Sequence, residues 1–87
     1  MTDYKISFTR SARKELSRLE KATVIRIVTE IEKLIENPHP PGCRKIQGAI
    51  DLWRIRIGNY RVIYQIIDQE LIIEVVAVRH RRDAYRF

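Results

Sequence analysis

Apolar positions along this chain change period twice, from two to about 3.6 and back to two. Tyr4, Ile6 and Phe8 alternate with Lys5 and Ser7, as in a half-buried strand. Thr9 or Ser11 can then cap a helix running to about Leu19, with Ala12, Leu16 and Leu19 as its apolar stripe. Val24, Ile27, Val28, Ile31, Leu34 and Ile35 follow the i, i+3, i+4, i+7 spacing of a second helix. Asn37-Pro38 stops it, because the residue before a proline is driven out of the helical region. The two helices are expected to form a hairpin. Pro38-His39-Pro40-Pro41-Gly42 reads as a rigid loop, and strands follow at about 51 to 57, 60 to 67 and 70 to 79. The predicted order is β-α-α-β-β-β, an α+β fold with an antiparallel sheet packed against the N-terminal helical hairpin.

The turn between the first two of those three strands sets their register. Gly58-Asn59 is a two-residue hairpin connection, since both residue types tolerate the positive φ of primed turns. Ile57 then faces Tyr60, Arg56 pairs with Arg61, Ile55 with Val62, Arg54 with Ile63 and Trp53 with Tyr64. Directly opposed residues share a face, so Arg54, Arg56 and Arg61 stand on one side of the sheet. Like charges so opposed cost from a few tenths to about 1 kcal/mol. Two readings are open here: a solvated face that happens to be basic, or a site built for phosphate.

A second turn at Asp68-Gln69 would pair Ile66 with Leu71, Tyr64 with Ile73, Val62 with Val75 and Tyr60 with Ala77. Trp53, Tyr64 and Ile73 then form one apolar row under the helices, and Ile55, Val62 and Val75 another. The opposite face mixes Arg54, Arg56 and Arg61 with Ile63, Ile67, Ile72, Val76 and Val78. Such a surface is too apolar to meet only water and is expected to be covered by a partner. The segment Arg79-His80-Arg81-Arg82-Asp83-Ala84-Tyr85-Arg86 adds four arginines, a histidine and a tyrosine. Charge alone is compatible with a loosely anion-binding arm. Strict alternation would put His80 on the arginine face and Arg81 on the core face.

Composition narrows the class. The chain of 87 residues is expected to be one domain, 1–87, burying about 60 to 65 per cent of its unfolded surface. Apolar residues make up 45%, which argues for an ordered core. No segment is long and apolar enough for a transmembrane helix or a signal peptide, so a cytoplasmic location with no membrane partner is expected. Cys43 is the one cysteine, which excludes an internal disulfide and leaves it an inert thiol. With His39 and His80 the only histidines, the common zinc ligand sets cannot be assembled. The formal net charge of +6 suits a polyanionic partner. From Arg44 onward nine Lys or Arg stand against five Asp or Glu, so the excess lies mostly in the second half.

Other residues favour ordinary roles. Trp53 could stack a base, but its register with Tyr64 assigns it to the core, as it does Tyr60 and Tyr64. His39 reads as an exposed loop residue. Arg10, Arg13, Lys14, Arg18 and Lys21 give the first helix a basic face, solvated or directed at a polyanion.

Three stretches carry a resemblance to a known family: Gly48-Ala49-Ile50-Asp51-Leu52-Trp53-Arg54-Ile55-Arg56-Ile57, Tyr60-Arg61-Val62-Ile63-Tyr64-Gln65-Ile66-Ile67-Asp68, and His80-Arg81-Arg82-Asp83-Ala84-Tyr85. In this order they resemble the RelE toxins of toxin-antitoxin modules, within the RelE/ParE superfamily, along nearly the whole chain. The resemblance implies a ribosome-dependent endoribonuclease that cuts mRNA in the ribosomal A site without metal or other cofactor. Attack by a ribose 2'-hydroxyl would leave a 2',3'-cyclic phosphate and a 5'-hydroxyl. It further implies a RelB-like antitoxin, contacts with 16S ribosomal RNA of the 70S ribosome, and operator DNA bound by the complex through the antitoxin.

By the same resemblance Arg61, Arg81 and Tyr85 are catalytic: Arg61 on the phosphorane-like transition state, Arg81 on the leaving group, Tyr85 as general base. Arg54, Arg56, His80 and Arg82 would bind RNA phosphate. The residue types suit the chemistry. Guanidinium forks offer paired donors to phosphate without losing their charge, and surrounding cations favour the phenolate that a tyrosine base requires. Arg81 cannot release a proton, so water, His80 or ribosomal RNA would supply it. The chain departs from the family pattern in carrying arginine where lysine is common at 54 and 56, and Arg79 where glycine is frequent. A ParE-like inhibitor of DNA gyrase and a non-catalytic nucleic-acid or partner-binding module are the alternatives.

Overall fold

The computed structural model describes residues 4–82. Its elements are β1 (Lys5–Phe8), α1 (Arg10–Ser17), α2 (Lys21–Glu32) continued by a 3-10 turn over Lys33–Ile35, β2 (Arg44–Lys45), β3 (Leu52–Ile57), β4 (Tyr60–Ile67) and β5 (Ile72–His80). The α+β class and the helical hairpin agree with the sequence pattern. The short strand β2 was not expected from it. Nor is the sheet wholly antiparallel: its order is β1-β5-β4-β3-β2, and β1 runs parallel to β5. Between these two strands the chain passes through both helices and two hairpins, and no local signal fixes the direction in which such distant segments meet. Among the described residues no helix is long and apolar enough to cross a membrane.

One face of the sheet holds the core. Ile55, Ile57, Val62, Tyr64, Ile66, Ile73, Val75 and Val78 pack with Ala12, Ile27, Ile31 and Leu34 from the helical segments, flanked by half-buried Trp53 and Tyr60. Tyr64 is wholly buried at the centre, and its hydroxyl donates to the Pro38 carbonyl at 2.7 Å. The loop leaving the helices is thereby tied to the sheet, and burial pushes the phenol's pKa up, helped by neighbouring Cys43. His39 is exposed, as expected, and meets the Trp53 ring edge-on at 4.5 Å.

The β3–β4 register is the one predicted, from Ile57↔Tyr60 through Arg56↔Arg61 and Arg54↔Ile63 to Trp53↔Tyr64. Gly58 has φ +58 and Asn59 stays out of the left-handed region, the pattern of a connection with glycine first. The β4–β5 register differs from the predicted one. Strand β4 ends at Ile67 and β5 begins at Ile72, so residues 68–71 make the connection, with Leu71 at φ +54. The side chain of Leu71 disfavours that conformation, so no turn-forming residue type announces it. The Tyr4 hydroxyl donates to the Asp68 carboxylate and holds this corner from β1.

A second departure follows along the same pair of strands. Tyr64 pairs with Val75 and Ile63 with Ala77, leaving Val76 as a bulge. Because a bulge adds one residue to one strand only, every later side chain of β5 changes face. Val78 therefore joins the core instead of the arginine face, Arg79 comes opposite Arg61, and His80 comes opposite Tyr60. The core rows are Trp53–Tyr64–Val75 and Ile55–Val62–Val78.

Helix α1 secures the bulge. Of the two candidates, Thr9 and Ser11, it is Thr9 that caps it, accepting from the Ala12 N–H at 3.1 Å, while its own hydroxyl donates to the Val76 carbonyl at 3.0 Å and its N–H to the Val75 carbonyl at 3.0 Å. Further along, where β1 has ended, Glu15 accepts from the Val78 N–H at 3.0 Å and pairs with Arg79 at 2.6 Å. The edge of β5 is thus covered by side chains of α1 and not left open for another strand.

Two outcomes are expected. Thr9→Ala removes both the cap and the bulge's donor and should lower unfolding free energy in urea by about 1–2 kcal/mol, with Thr9→Ser nearly neutral. Because the folded state holds the Tyr64 phenol protonated above its ordinary 10.0, that contribution is complete below the unfolded pKa and declines as pH rises past it. The stability difference between the wild type and Tyr64→Phe should accordingly hold steady up to about pH 9 and shrink as pH rises beyond about 10.

Candidate functional site

Two arginine rows cross the face of the sheet opposite the core. One runs Arg56↔Arg61↔Arg79 over β3, β4 and β5; the other begins Arg44↔Arg54 over β2 and β3 and continues into Ile63 and Ala77. Alternation along β3 puts Arg54 and Arg56 on one side, about 6.8 Å apart along the strand. Arg44, Arg54, Arg56 and Arg61, with Gly42 and Ile55, line a single cavity of ≈ 110 Å³. The structure thus brings together Arg54, Arg56 and Arg61, the three residues named from the hairpin register.

Each side chain is placed by a different local constraint. The Gly58-Asn59 turn sets Arg56 against Arg61. The bulge at Val76 sets Arg79 against Arg61. Arg44 reaches the site because Ile46 N–H donates to the Leu52 carbonyl at 2.9 Å, folding the segment after the proline loop back along β3. Sequence reasoning missed Arg44, whose two-residue strand is too short to carry a periodicity. Arg79 was noticed only as part of a basic tail. Its place in the row depends on the bulge, for which the apolar run of β5 carries no signal.

The electrostatics differ along the rows. Arg79 is paired with Glu15, so the outer end of its row is partly neutralised. No ion pair joins Arg44, Arg54 or Arg56 to a carboxylate among the described residues. With cations opposed in both rows and a concave floor between them, the arrangement favours an anion that several guanidinium forks can engage at once. Ile63 and Ala77 lie on this side and are nevertheless buried, while Ile67 and Ile72 are half-buried.

The remaining predicted residues are placed as follows. His80 stands on the core side, edge-on to Tyr60 at 5.3 Å, and not among the arginines, because the bulge has reversed its face. Its Nδ1 accepts from the Arg82 N–H at 3.4 Å. The Arg81 N–H donates to the Asn59 carbonyl at 2.6 Å, fastening Arg81 beside the turn that joins Arg56 and Arg61. Arg81 and Arg82 are exposed. Tyr85 lies outside the described residues. Among the described residues no group of three or more His, Cys, Asp or Glu is arranged to hold a metal ion.

Comparison with known proteins bears on what such a site does. Residues 6–85 match the family model described as ParE toxin of type II toxin-antitoxin system, parDE. A RelE-like toxin protein of Escherichia coli is 38% identical over 86 residues, covering 94% of this chain and 90% of that protein. The mRNA interferase toxin RelE of Escherichia coli K12 is 27% identical with the same coverage. The structure superposes on the archaeal RelE–RelB complex from Pyrococcus horikoshii with a TM-score of 0.79 at 30% identity, covering 93% of this chain and 97% of that one.

If the rows bind a nucleic-acid backbone, affinity for single-stranded RNA should fall with salt. Arg54→Ala and Arg56→Ala should each flatten the plot of log K against log salt by about 0.7, as loss of one phosphate contact does. Fluorescence anisotropy over a salt series measures it, and an unchanged slope in both variants would leave the basic face merely solvated.

Proposed function

Since the chain belongs to the RelE/ParE superfamily of type II toxin-antitoxin toxins, we propose that it is a ribosome-dependent endoribonuclease toxin that halts translation by cutting mRNA in the ribosomal A site. The observation that carries this reading is the cavity floored by Arg54, Arg56 and Arg61, a cluster of fixed cations on a rigid sheet. The two Escherichia coli relatives described above bear RelE names, one of them as an mRNA interferase.

The chemistry runs through the protein's own side chains. Tyr85 takes the proton from a ribose 2'-hydroxyl, and the 2'-oxygen attacks the adjacent phosphorus. Charge gathers on the nonbridging oxygens, where Arg61 and Arg56 stabilise it, with Arg54 on the flanking backbone. The bond from phosphorus to the 5'-oxygen breaks beside Arg81, which holds the departing oxygen while water delivers its proton. The products are a 2',3'-cyclic phosphate and a 5'-hydroxyl, and no metal or cofactor enters the scheme. Loss of one guanidinium from the transition state costs on the order of a hundredfold to a thousandfold in rate, and loss of the base roughly a hundredfold to ten-thousandfold. Arg82 binds flanking phosphate. His80, turned toward Tyr60, acts as a positioning residue that fixes the backbone at Arg82.

Several further assignments rest on the same reading. A RelB-like antitoxin covers the arginine face and its apolar residues Ile67 and Ile72, and the complex binds operator DNA through that antitoxin. The toxin works in the cytoplasm on the 70S ribosome, where the basic face of α1 meets 16S ribosomal RNA. The chain constitutes a single toxin domain. The ParE name of the matching family supports a second reading, inhibition of DNA gyrase by the same fold.

Growth arrest in cells separates these readings. Arg61→Ala and Tyr85→Phe should each relieve the arrest while the circular-dichroism spectrum stays that of the wild type. Brief expression should produce 5'-hydroxyl mRNA ends with codon periodicity on translated messages. Supercoiling changes without such ends would instead establish the gyrase reading.

A further inference from the structure

The arginine rows repeat. Arg56↔Arg61 is one cross-strand pair of guanidinium-bearing residues, and Arg44↔Arg54 is a second, two residues along β3 on the same face. Both pairs line the same cavity. The distance between them along the strand, about 6.8 Å, is comparable with the separation of successive phosphates in an extended RNA strand. The second pair is the more exacting to explain. Arg44 sits on an exposed edge strand of two residues, where nothing in the packing calls for a cation, and it adds like-charge repulsion opposite Arg54. Neither Arg44 nor Arg54 is ion-paired to a carboxylate among the described residues.

We propose that Arg44 and Arg54 form a second phosphate subsite, one nucleotide along the RNA from the phosphate held between Arg56 and Arg61. The inference rests on the nuclease reading for which phosphate is cleaved, but the pairing of two subsites with two consecutive phosphates stands on the sheet geometry. A repeating anion fits two equivalent cation pairs at a fixed spacing, whereas a protein's carboxylates have no fixed repeat. Arg44 is then a binding residue that sets the register of the strand over Arg61 and takes no part in bond-making. Its contribution belongs to both ground and transition states, so its loss raises KM and leaves kcat nearly unchanged.

The test crosses the protein variant with a change in the RNA. The full-length toxin is bound to ribosomes programmed with mRNA carrying a single 2'-deoxy nucleotide that blocks cleavage, and one neutral methylphosphonate replaces the scissile phosphate or either neighbour. For the wild type, binding should weaken about tenfold, or 1.4 kcal/mol, at the scissile position and at one neighbour. For Arg44→Ala the effect at the neighbour should shrink to what Arg54 alone sustains while the scissile position keeps its full effect, and Arg44→Lys should restore part of the difference. Equal neighbour effects in wild type and Arg44→Ala would overturn the proposal. So would an Arg44→Ala variant that binds every RNA normally and loses affinity only for an acidic antitoxin peptide. Cleavage of unmodified message, assayed in parallel, reports on the nuclease reading alone: RNA that is bound in the expected pattern but never cut would defeat that reading and leave the subsite intact.

Discussion

The bulge at Val76 is the constraint on which the two faces of this sheet depend. Before it, β5 presents Ile73 and Val75 to the core; after it, Val78 must do so, which turns Arg79 toward Arg61 and His80 toward Tyr60. Had the ladder stayed regular, Ala77 would have come opposite Val62, Val78 opposite Arg61 and Arg79 opposite Tyr60. The core would have exchanged Val78 for a smaller side chain and met a guanidinium at its rim in place of His80. The bulge is held from outside the sheet, by Thr9 on the Val75 and Val76 backbone and by Glu15 on Val78. Helix α1 therefore does two things at once: it contributes Ala12 to the core, and it fixes the register of the strand that completes the basic face.

That face is locally unfavourable and globally sustained. Arg44 opposite Arg54, and Arg56 between Arg61 and the sheet edge, repel their neighbours in the ladder. The repulsion is tolerated because the alternate positions of the same strands bury Ile55, Ile57, Val62 and Tyr64 on the reverse side. A rigid sheet then keeps the cations in place before any anion arrives, which is the condition for electrostatic stabilisation of a developing charge. Glu15 neutralises only the Arg79 end of the longer row. Away from that end, Arg44, Arg54, Arg56 and Arg61 surround one cavity.

The loop between helices and sheet belongs to the same design. Tyr64 reaches through the core to the Pro38 carbonyl, and the segment beyond Gly42 folds back as β2 against β3. A proline-rich connection that looked merely rigid in the sequence thus carries Arg44 to the wall of the site. The Tyr4–Asp68 contact plays the corresponding part at the opposite corner, where β1 meets the four-residue connection between β4 and β5.

The sequence by itself determined whatever rests on short-range periodicity and turn chemistry: the two helices, a cap at Thr9 or Ser11, the β3–β4 register and, through it, the common face of Arg54, Arg56 and Arg61. A two-residue Gly-Asn connection leaves one plausible ladder, and every side chain of the hairpin follows from it. Tertiary structure alone decided the parallel pairing of β1 with β5, the existence of β2 and the arrival of Arg44. It also decided the reversal that put Arg79, and not His80, beside Arg61. Those features depend on segments distant in sequence meeting at a strand edge, on a leucine accepting a left-handed backbone at position 71, and on one unpaired residue in a uniformly apolar strand. Each is settled by the energy of packing the whole sheet against its helices, a quantity that no local pattern of residues records.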